Sequence, residues 1–224
     1  MYAHKQRQIL FVQVRRMEYA VKIINASYRI ETPTYSGEEL LKGIEQAGRT
    51  CYKSEDRITE ESAKSFVQKL IERGHESVLE HASITVRFIC DRGISHEIVR
   101  HRLASYSQES QRYVRYNGDI EFINPHMPNA KAYEAWQELC ERAEETYKEL
   151  LSYGVQPQQA RAVLPNSTKT EIIMTANLRE WRHFLKLRTA KAAHPQMREL
   201  TVPLLHELQA WIPVVFDDIK EDNI

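Results

Sequence analysis

Ala82-Ser83-Ile84-Thr85-Val86-Arg87-Phe88-Ile89-Cys90 alternates apolar Ile84, Val86 and Phe88 with polar Ser83, Thr85 and Arg87. Successive side chains of a strand point to opposite faces, so this spacing predicts a strand with one face in a core and the other in water. Thr168 to Ala176 alternates in the same way and is a second strand candidate. Residues 19–31 (YAVKIINASYRIE), rich in β-branched and aromatic types, make a third.

Helical patterns surround these strands. After the turn region TPTYSG, Gly37 to Arg49 sets Leu40, Leu41, Ile44 and Ala47 at helical spacing. Thr59 to Arg73 reads as a helix with a capping pattern in Thr59-Glu60-Glu61-Ser62 and a glycine stop at Gly74. Further helices are expected over Gly93 to Arg100, Pro128 to Tyr153, Pro157 to Val163, Leu178 to Leu187 and Gln196 to Trp211, with Pro157 suited to a first turn. His101 to Gly118 is polar, aromatic and aperiodic and reads as an irregular loop, and the acidic end DDIKEDN as a solvated tail. There is no internal repeat, low-complexity tract or clear linker, so the expected architecture is α+β in a single domain. Residues 1–16 lack the order of basic, apolar and small residues of a signal peptide. They read as an extension before a natural start at Met17, leaving 17–224 as the domain.

The chain has 224 residues, 42% of them hydrophobic, enough for a substantial core. Lysine and arginine total 31 and the acids 31, so the basic excess of a non-specific nucleic-acid binder is missing and any anion site must be local. Cys51, Cys90 and Cys140 are widely spaced and form no CxxC pair, as expected of reduced thiols in a cytoplasmic protein. No apolar run is long enough to span a bilayer.

Chemistry concentrates in Arg100-His101-Arg102-Leu103-Ala104-Ser105-Tyr106-Ser107-Gln108-Glu109-Ser110-Gln111-Arg112-Tyr113. Three arginines, one histidine, three serines and two glutamines surround a single acid, Glu109. Guanidinium groups bind phosphate bidentately and hydroxyls and amides orient it, so the segment suits a phosphorylated ligand, without any glycine-rich phosphate cradle. The same composition also fits a solvated loop whose arginines pair with surface acids. His75-Glu76-Ser77-Val78-Leu79-Glu80-His81 is not HExxH: histidines six apart lie about 120° apart on a helix, so a helix start with Ser77 capping and Glu80 completing the box is favoured over a metal site. Arg161 alone would be a surface ion-pair partner. In Asn177 to Arg188, Trp181, Phe184 and Leu187 share a helical face and read as core, and Arg179, His183 and Lys186 share another. Glu97, one helical turn before Arg100, is placed either to pair with it or to line the same site.

The 100–112 run matches the pattern RHR-x7-S-x-R and resembles the signature of the flavin-dependent thymidylate synthases. His75 to His81 resembles the family's H-E-[ST]-x-x-E-H segment, Ala160 to Pro165 its A-R-x-x-L-P, and Asn177-Leu178-Arg179 and Leu187-Arg188 its later N-x-R and L-R pieces, in the family's order. The resemblance implies an α+β fold with a mixed or antiparallel sheet flanked by long helices, assembled as a homotetramer with shared active sites. It implies reductive methylation of dUMP to dTMP, with methylenetetrahydrofolate as carbon donor and NADPH reducing FAD. It assigns Glu97, Arg100, Gln108, Glu109, Ser110, Gln111, Arg112, Arg161 and Arg188 to dUMP, and Ser77, Arg100, His101, Arg102, Gln108, Asn177, Arg179 and His183 to FAD. His75 would lie close to the isoalloxazine ring, and no metal is implied. Gln108 stands where some members carry an acid, and His183 at a position open to amide or imidazole.

No cysteine lies in an activating motif, so a cation that stabilises an enolate-like uracil is the remaining route, and Arg188 is the residue assigned to it. Ser110 is an alternative nucleophile, less favoured because no histidine adjoins it. Two other readings compete. A single-strand nucleic-acid module would use Arg100, Arg102, Arg112 and Arg115 beside Tyr106, Tyr113 and Tyr116, against which stands the zero net charge. A metal phosphohydrolase would use His75, His81, His96 and His101, against which stands the lack of a paired aspartate motif.

Overall fold

The computed structural model describes residues 20–32 and 36–221. The expected extension 1–16, the start at Met17, the middle of the TPTYSG turn and the last three residues lie outside them. In chain order the elements are β1 (Lys22–Ile24), β2 (Ser27–Ile30), α1 (Gly37–Tyr52), α2 (Ser62–Glu72), β3 (Ser83–Asp91), α3 (Arg92–Ile98), β4 (Ala104–Gln108), β5 (Glu121–Ile123), α4 (Ala130–Ser152), α5 (Pro157–Ala160), β6 (Lys169–Asn177), α6 (Leu178–Arg188), α7 (Pro195–Trp211) and α8 (Pro213–Phe216). Short 3-10 turns occupy Glu55–Arg57, Glu76–His81 and Arg161–Val163.

The two alternating segments are the paired centre of the fold. β3 and β6 run antiparallel in register from Ser83 opposite Asn177 to Asp91 opposite Lys169, with β2 beyond β3 and β4 beyond β6. Ile84, Val86, Phe88, Cys90, Ile172, Met174 and Ala176 are buried on one face beneath α6 and α7. Phe88 meets Trp181 and Phe184 at ring distances of 6.4 and 6.3 Å, and the Trp181 indole donates to the Ile84 carbonyl at 3.0 Å, so this large ring carries no unpaired polar atom. On the other face Thr85 and Thr175 hydroxyls bond across the strands at 2.9 Å, and Arg87 joins Glu31 and Glu171. A second core of Val21, Ile120, Phe122, Trp136, Cys140 and Tyr147 lies under α4 beside the small parallel pair β1–β5.

The expected α+β single domain with an antiparallel sheet stands, and five local expectations are corrected. Residues 19–31 do not make one strand: the chain breaks at Asn25-Ala26 and its halves join different sheets. His101 to Gly118 is not wholly irregular, because β4 pairs with β6 along Ala104–Gln108. As an edge strand facing water it carries serines outside and Tyr106 and Gln108 inside, which hid its period. His75 to His81 forms a 3-10 turn without a side-chain cap at Ser77, and α2 starts at Ser62, whose hydroxyl accepts from the Thr59 amide at 2.9 Å. The acidic end is not merely solvated: Ile219 is buried and Asp218 holds Arg182.

Removing the Phe88 ring would leave a cavity under Trp181 and Phe184. Phe88→Ala is therefore expected to lower unfolding free energy by about 3–5 kcal/mol, measured by urea denaturation; a loss under about 1 kcal/mol would show that this aromatic cluster is not the packed centre.

Candidate active site

Asp91 ends β3 and begins α3, its carboxylate accepting from the Ile94 amide. The short helix ends at Ile98, and Arg100-His101-Arg102 then crosses to β4. The alternation is decisive: Arg100 and Arg102 are exposed, whereas His101 points inward and is buried. Neither arginine reaches a carboxylate among the described residues, so the ion-paired alternative for this loop does not hold. Further along, the Gln108 amide turns in to Ser95 at 2.9 Å and Thr170 at 3.2 Å. Glu109 accepts from the Tyr116 hydroxyl at 2.7 Å and lies 3.5 Å from Lys169. Ser110 accepts from the Arg112 amide at 3.3 Å, Gln111 is buried, and the Arg112 guanidinium lies over the Tyr113 ring.

α6 supplies the facing wall. Asn177 caps it, accepting from the Glu180 amide at 2.9 Å. Arg179, His183 and Lys186 then share one face, as their spacing predicts, and with Asn177, Glu76, Glu80 and Leu103 they line a polar cleft of about 620 Å³. Arg179 meets Glu80 at 2.6 Å. Ser77 is exposed on the same 3-10 turn as those two glutamates. Arg182, which the sequence reading passed over, turns inward and bonds Glu76 at 3.1 Å and Asp218 at 2.6 and 2.7 Å, joining the cleft wall to the chain end. Trp181 and Phe184 are core as expected, but Leu187 is 43% exposed, lying where the apolar face runs out from under the sheet.

Arg188, the last residue of α6, is held from both sides. Its Nε donates to His101 Nε2 at 3.0 Å, and its two terminal nitrogens donate to the Glu97 carboxylate at 2.9 Å and the Glu97 carbonyl at 3.1 Å. Glu97 thus pairs with Arg188 and not with Arg100. Because His101 Nε2 accepts, the imidazole is neutral with its proton on Nδ1, facing Glu180 at 3.5 Å. Burial, then the charges of Arg188 and His183, push its pKa down to about 4. Burial raises that of Glu180. His101, Glu180 and His183 bring donor atoms within 4.8 Å of one another. The Arg188 guanidinium bonded to His101 makes this a poor setting for a further cation, and its donation into Nε2 engages one of the two His101 ring nitrogens.

The structure therefore brings Glu97, His101 and Arg188 into contact, and Asn177, Arg179 and His183 into one cleft. Arg161 sits in the 3-10 turn Arg161–Val163 beside the second core, and no side-chain bond joins it to either group. Positioning residues the sequence reading missed are Lys169, Glu180, Arg182 and Asp218; each lies outside the motifs, and only the fold shows its partner.

The free arginines fit phosphate oxygens, and Asn177, Arg179, His183 and Lys186 offer donors and charge to a larger polar ligand. The family model described as thymidylate synthase complementing protein matches residues 35–214. A flavin-dependent thymidylate synthase of Mycobacterium tuberculosis strain H37Rv is 38% identical over 196 residues, covering 79% of this chain and 78% of that protein. Relatives of the same name from Geobacter sulfurreducens and Pyrococcus furiosus are 37% and 35% identical, covering 77% and 84% of this chain and 78% of each relative. The chain belongs to the flavin-dependent thymidylate synthase family. In fold it is also similar to a UMP/dUMP methylase, PolB, from Streptomyces cacaoi, solved bound with 5-Br dUMP, with a TM-score of 0.73 and 24% identity over 88% of this chain and 96% of that one.

The low pKa of His101 has a sign. Between its ordinary 6.5 and about 4, the unfolded chain takes up a proton that the folded chain refuses, so stability falls as pH drops through that window. The raised pKa of Glu180 works in the opposite sense at the lower end. The melting temperature should therefore fall as pH drops from 7 to 5, and by less in His101→Gln; equal pH dependence in the two proteins would contradict a buried neutral imidazole.

Proposed function

We propose that this chain catalyses the reductive methylation of dUMP to dTMP, taking a carbon from methylenetetrahydrofolate and reducing equivalents from FAD that NADPH reduces. The observation that carries the proposal is Arg188: a partly covered guanidinium, 18% exposed, fixed between Glu97 and His101 at the start of the 100–112 segment. Family membership adds to it. Moving a carbon to C5 of uracil requires an electron-rich ring. A fixed guanidinium facing the ring's N3 and carbonyl oxygens stabilises the enolate-like form in which C5 is nucleophilic.

No cysteine is set up for the alternative attack at C6. Cys90 and Cys140 are buried and burial raises both thiols, while Cys51 turns back toward the Ala47 carbonyl of its own helix. Arg100 and Arg112 are read as phosphate ligands, with Glu109, Ser110, Gln111, Arg161 and the Gln108 oxygen completing the dUMP set. The cleft fits a flavin by its donor chemistry, since Arg179 and Lys186 suit the pyrophosphate and Asn177 and His183 the polar edge of a ring, with Ser77, His101 and Arg102 alongside. Bound there and reduced by NADPH, the flavin would supply the two electrons needed to bring a transferred methylene carbon to the methyl level. Glu97 and His101 keep Arg188 in one orientation, and the neutral imidazole leaves the guanidinium its full charge.

The domain is read as 17–224, working in the cytoplasm as a homotetramer with sites shared between subunits. A site assembled from short scattered segments, part of it open in a single chain, supports that assembly. No described helix is long and apolar enough to cross a membrane, and balanced charge speaks against a nucleic-acid partner.

Protein purified with added FAD should be yellow, bleach with NADPH, and form dTMP only when dUMP and methylenetetrahydrofolate are both present; colourless protein that takes up no FAD would end the proposal. Arg188→Lys removes the in-plane donor pair and the Nε bond to His101. It should leave dUMP binding near normal and lower kcat by about 100-fold or more, read by single-turnover dTMP formation; near wild-type turnover would remove the polarising role.

A further inference from the structure

A second opening, of about 470 Å³, lies between the C-terminal ends of α1 and α2. Arg49, Lys53, Arg57, Lys69 and Arg73 line it, against a single acid, Asp56. Arg49 is matched by Glu45 at 2.8 Å and lies over the Phe66 ring at 4.2 Å. The other four cations are exposed and reach no carboxylate among the described residues. Cations do collect at helix C-termini, since each such end carries about half a negative charge. Two ends and Asp56 together offset about two of the four free cations, so about two positive charges remain uncompensated. In a chain with 31 cationic and 31 acidic residues, that surplus is local.

The opening is also linked to the active-site cleft. Tyr52 lines it, and the Tyr52 hydroxyl lies 3.1 Å from His75 Nδ1. His75 precedes the 3-10 turn whose Glu76 and Glu80 wall the cleft with Arg179 and His183. The Tyr52–His75 contact thus joins the wall of this opening to the turn that walls the cleft.

We propose that this basic opening binds the multiply charged anionic end of the co-substrate whose other end reacts in the Arg179–His183 cleft. The proposal rests on the flavin-dependent reading above. The shared ligand chemistry is a run of phosphate or carboxylate groups, supplied either by the phosphates of NADPH or by a glutamyl tail on the folate.

The test uses the full-length, flavin-loaded protein, its Lys69→Ala/Arg73→Ala variant, and a control, Lys64→Ala/Lys131→Ala, that removes two exposed lysines elsewhere. Calorimetric titration with inorganic tripolyphosphate should show binding to the parent and the control, and at least tenfold weaker binding to the Lys69/Arg73 variant. In steady-state assays the same variant should show at least a tenfold higher KM for NADPH, which assigns the phosphates. Alternatively it should lose the KM advantage of pentaglutamyl over monoglutamyl methylenetetrahydrofolate, which assigns the tail. Tripolyphosphate binding that is absent from the parent, or equal in both variants, overturns the proposal, and so does a variant in which neither KM moves. A parent protein that makes no dTMP defeats the enzymatic reading itself, and the tripolyphosphate titration still decides whether the opening binds anions.

Discussion

The antiparallel ladder between Ser83–Asp91 and Lys169–Asn177 governs where everything else lies. Each strand runs straight into a helix that carries site residues, β3 into α3 and β6 into α6, and because the strands are antiparallel those helices start at opposite ends of the sheet. Nine residues of strand cover about 30 Å, while α3 and α6 rise about 10 and 16 Å. Helices folding back over the sheet from its two ends thus nearly span the distance between their starting points. Their last turns meet where Glu97 binds Arg188. The contact that orients the guanidinium is set by strand length and register, and a slip of one residue would also turn Ile84, Val86 and Phe88 into water.

Around that contact the electrostatics are arranged by burial more than by charge count. His101 is held neutral because it is enclosed and faces a guanidinium, and Arg188 is held straight because an imidazole and a carboxylate accept from different sides. Arg100 and Arg102 point outward on either side of His101 without acidic partners among the described residues. Alternation along three residues therefore turns one histidine to the protein's own guanidinium and two arginines to the surface.

How far the sequence foretold this depended on whether a signal was local. The long strands were legible because their apolar residues fall strictly on alternate positions, and α6 because its apolar and polar faces separate at 3.6-residue spacing. β4 was not, since an edge strand with serines outside and Gln108 bonded to Ser95 and Thr170 inside carries no hydrophobic period. β5 has only three residues, and the break at Asn25-Ala26 reflects a switch between sheets that no propensity encodes. Glu97 and His101 were singled out by spacing and by the donor-rich segment and Arg188 on the resemblance, but the pairing of Glu97 with Arg188 instead of nearby Arg100 is tertiary: sequence distance favoured one arginine and the fold chose another 91 residues away.

Arg182 sits in the middle of α6, yet two of its hydrogen bonds go to Asp218 and another to the Val215 carbonyl. During synthesis the chain emerges from its N-terminus, and domains fold as their parts appear. The turn carrying Glu76 and Glu80 leaves the ribosome early, the guanidinium that braces it much later, and the carboxylate that completes the brace later still. The Arg182 side of the cleft wall therefore gains its second anchor only when residue 218 is free, after the helices that cover the sheet have been made.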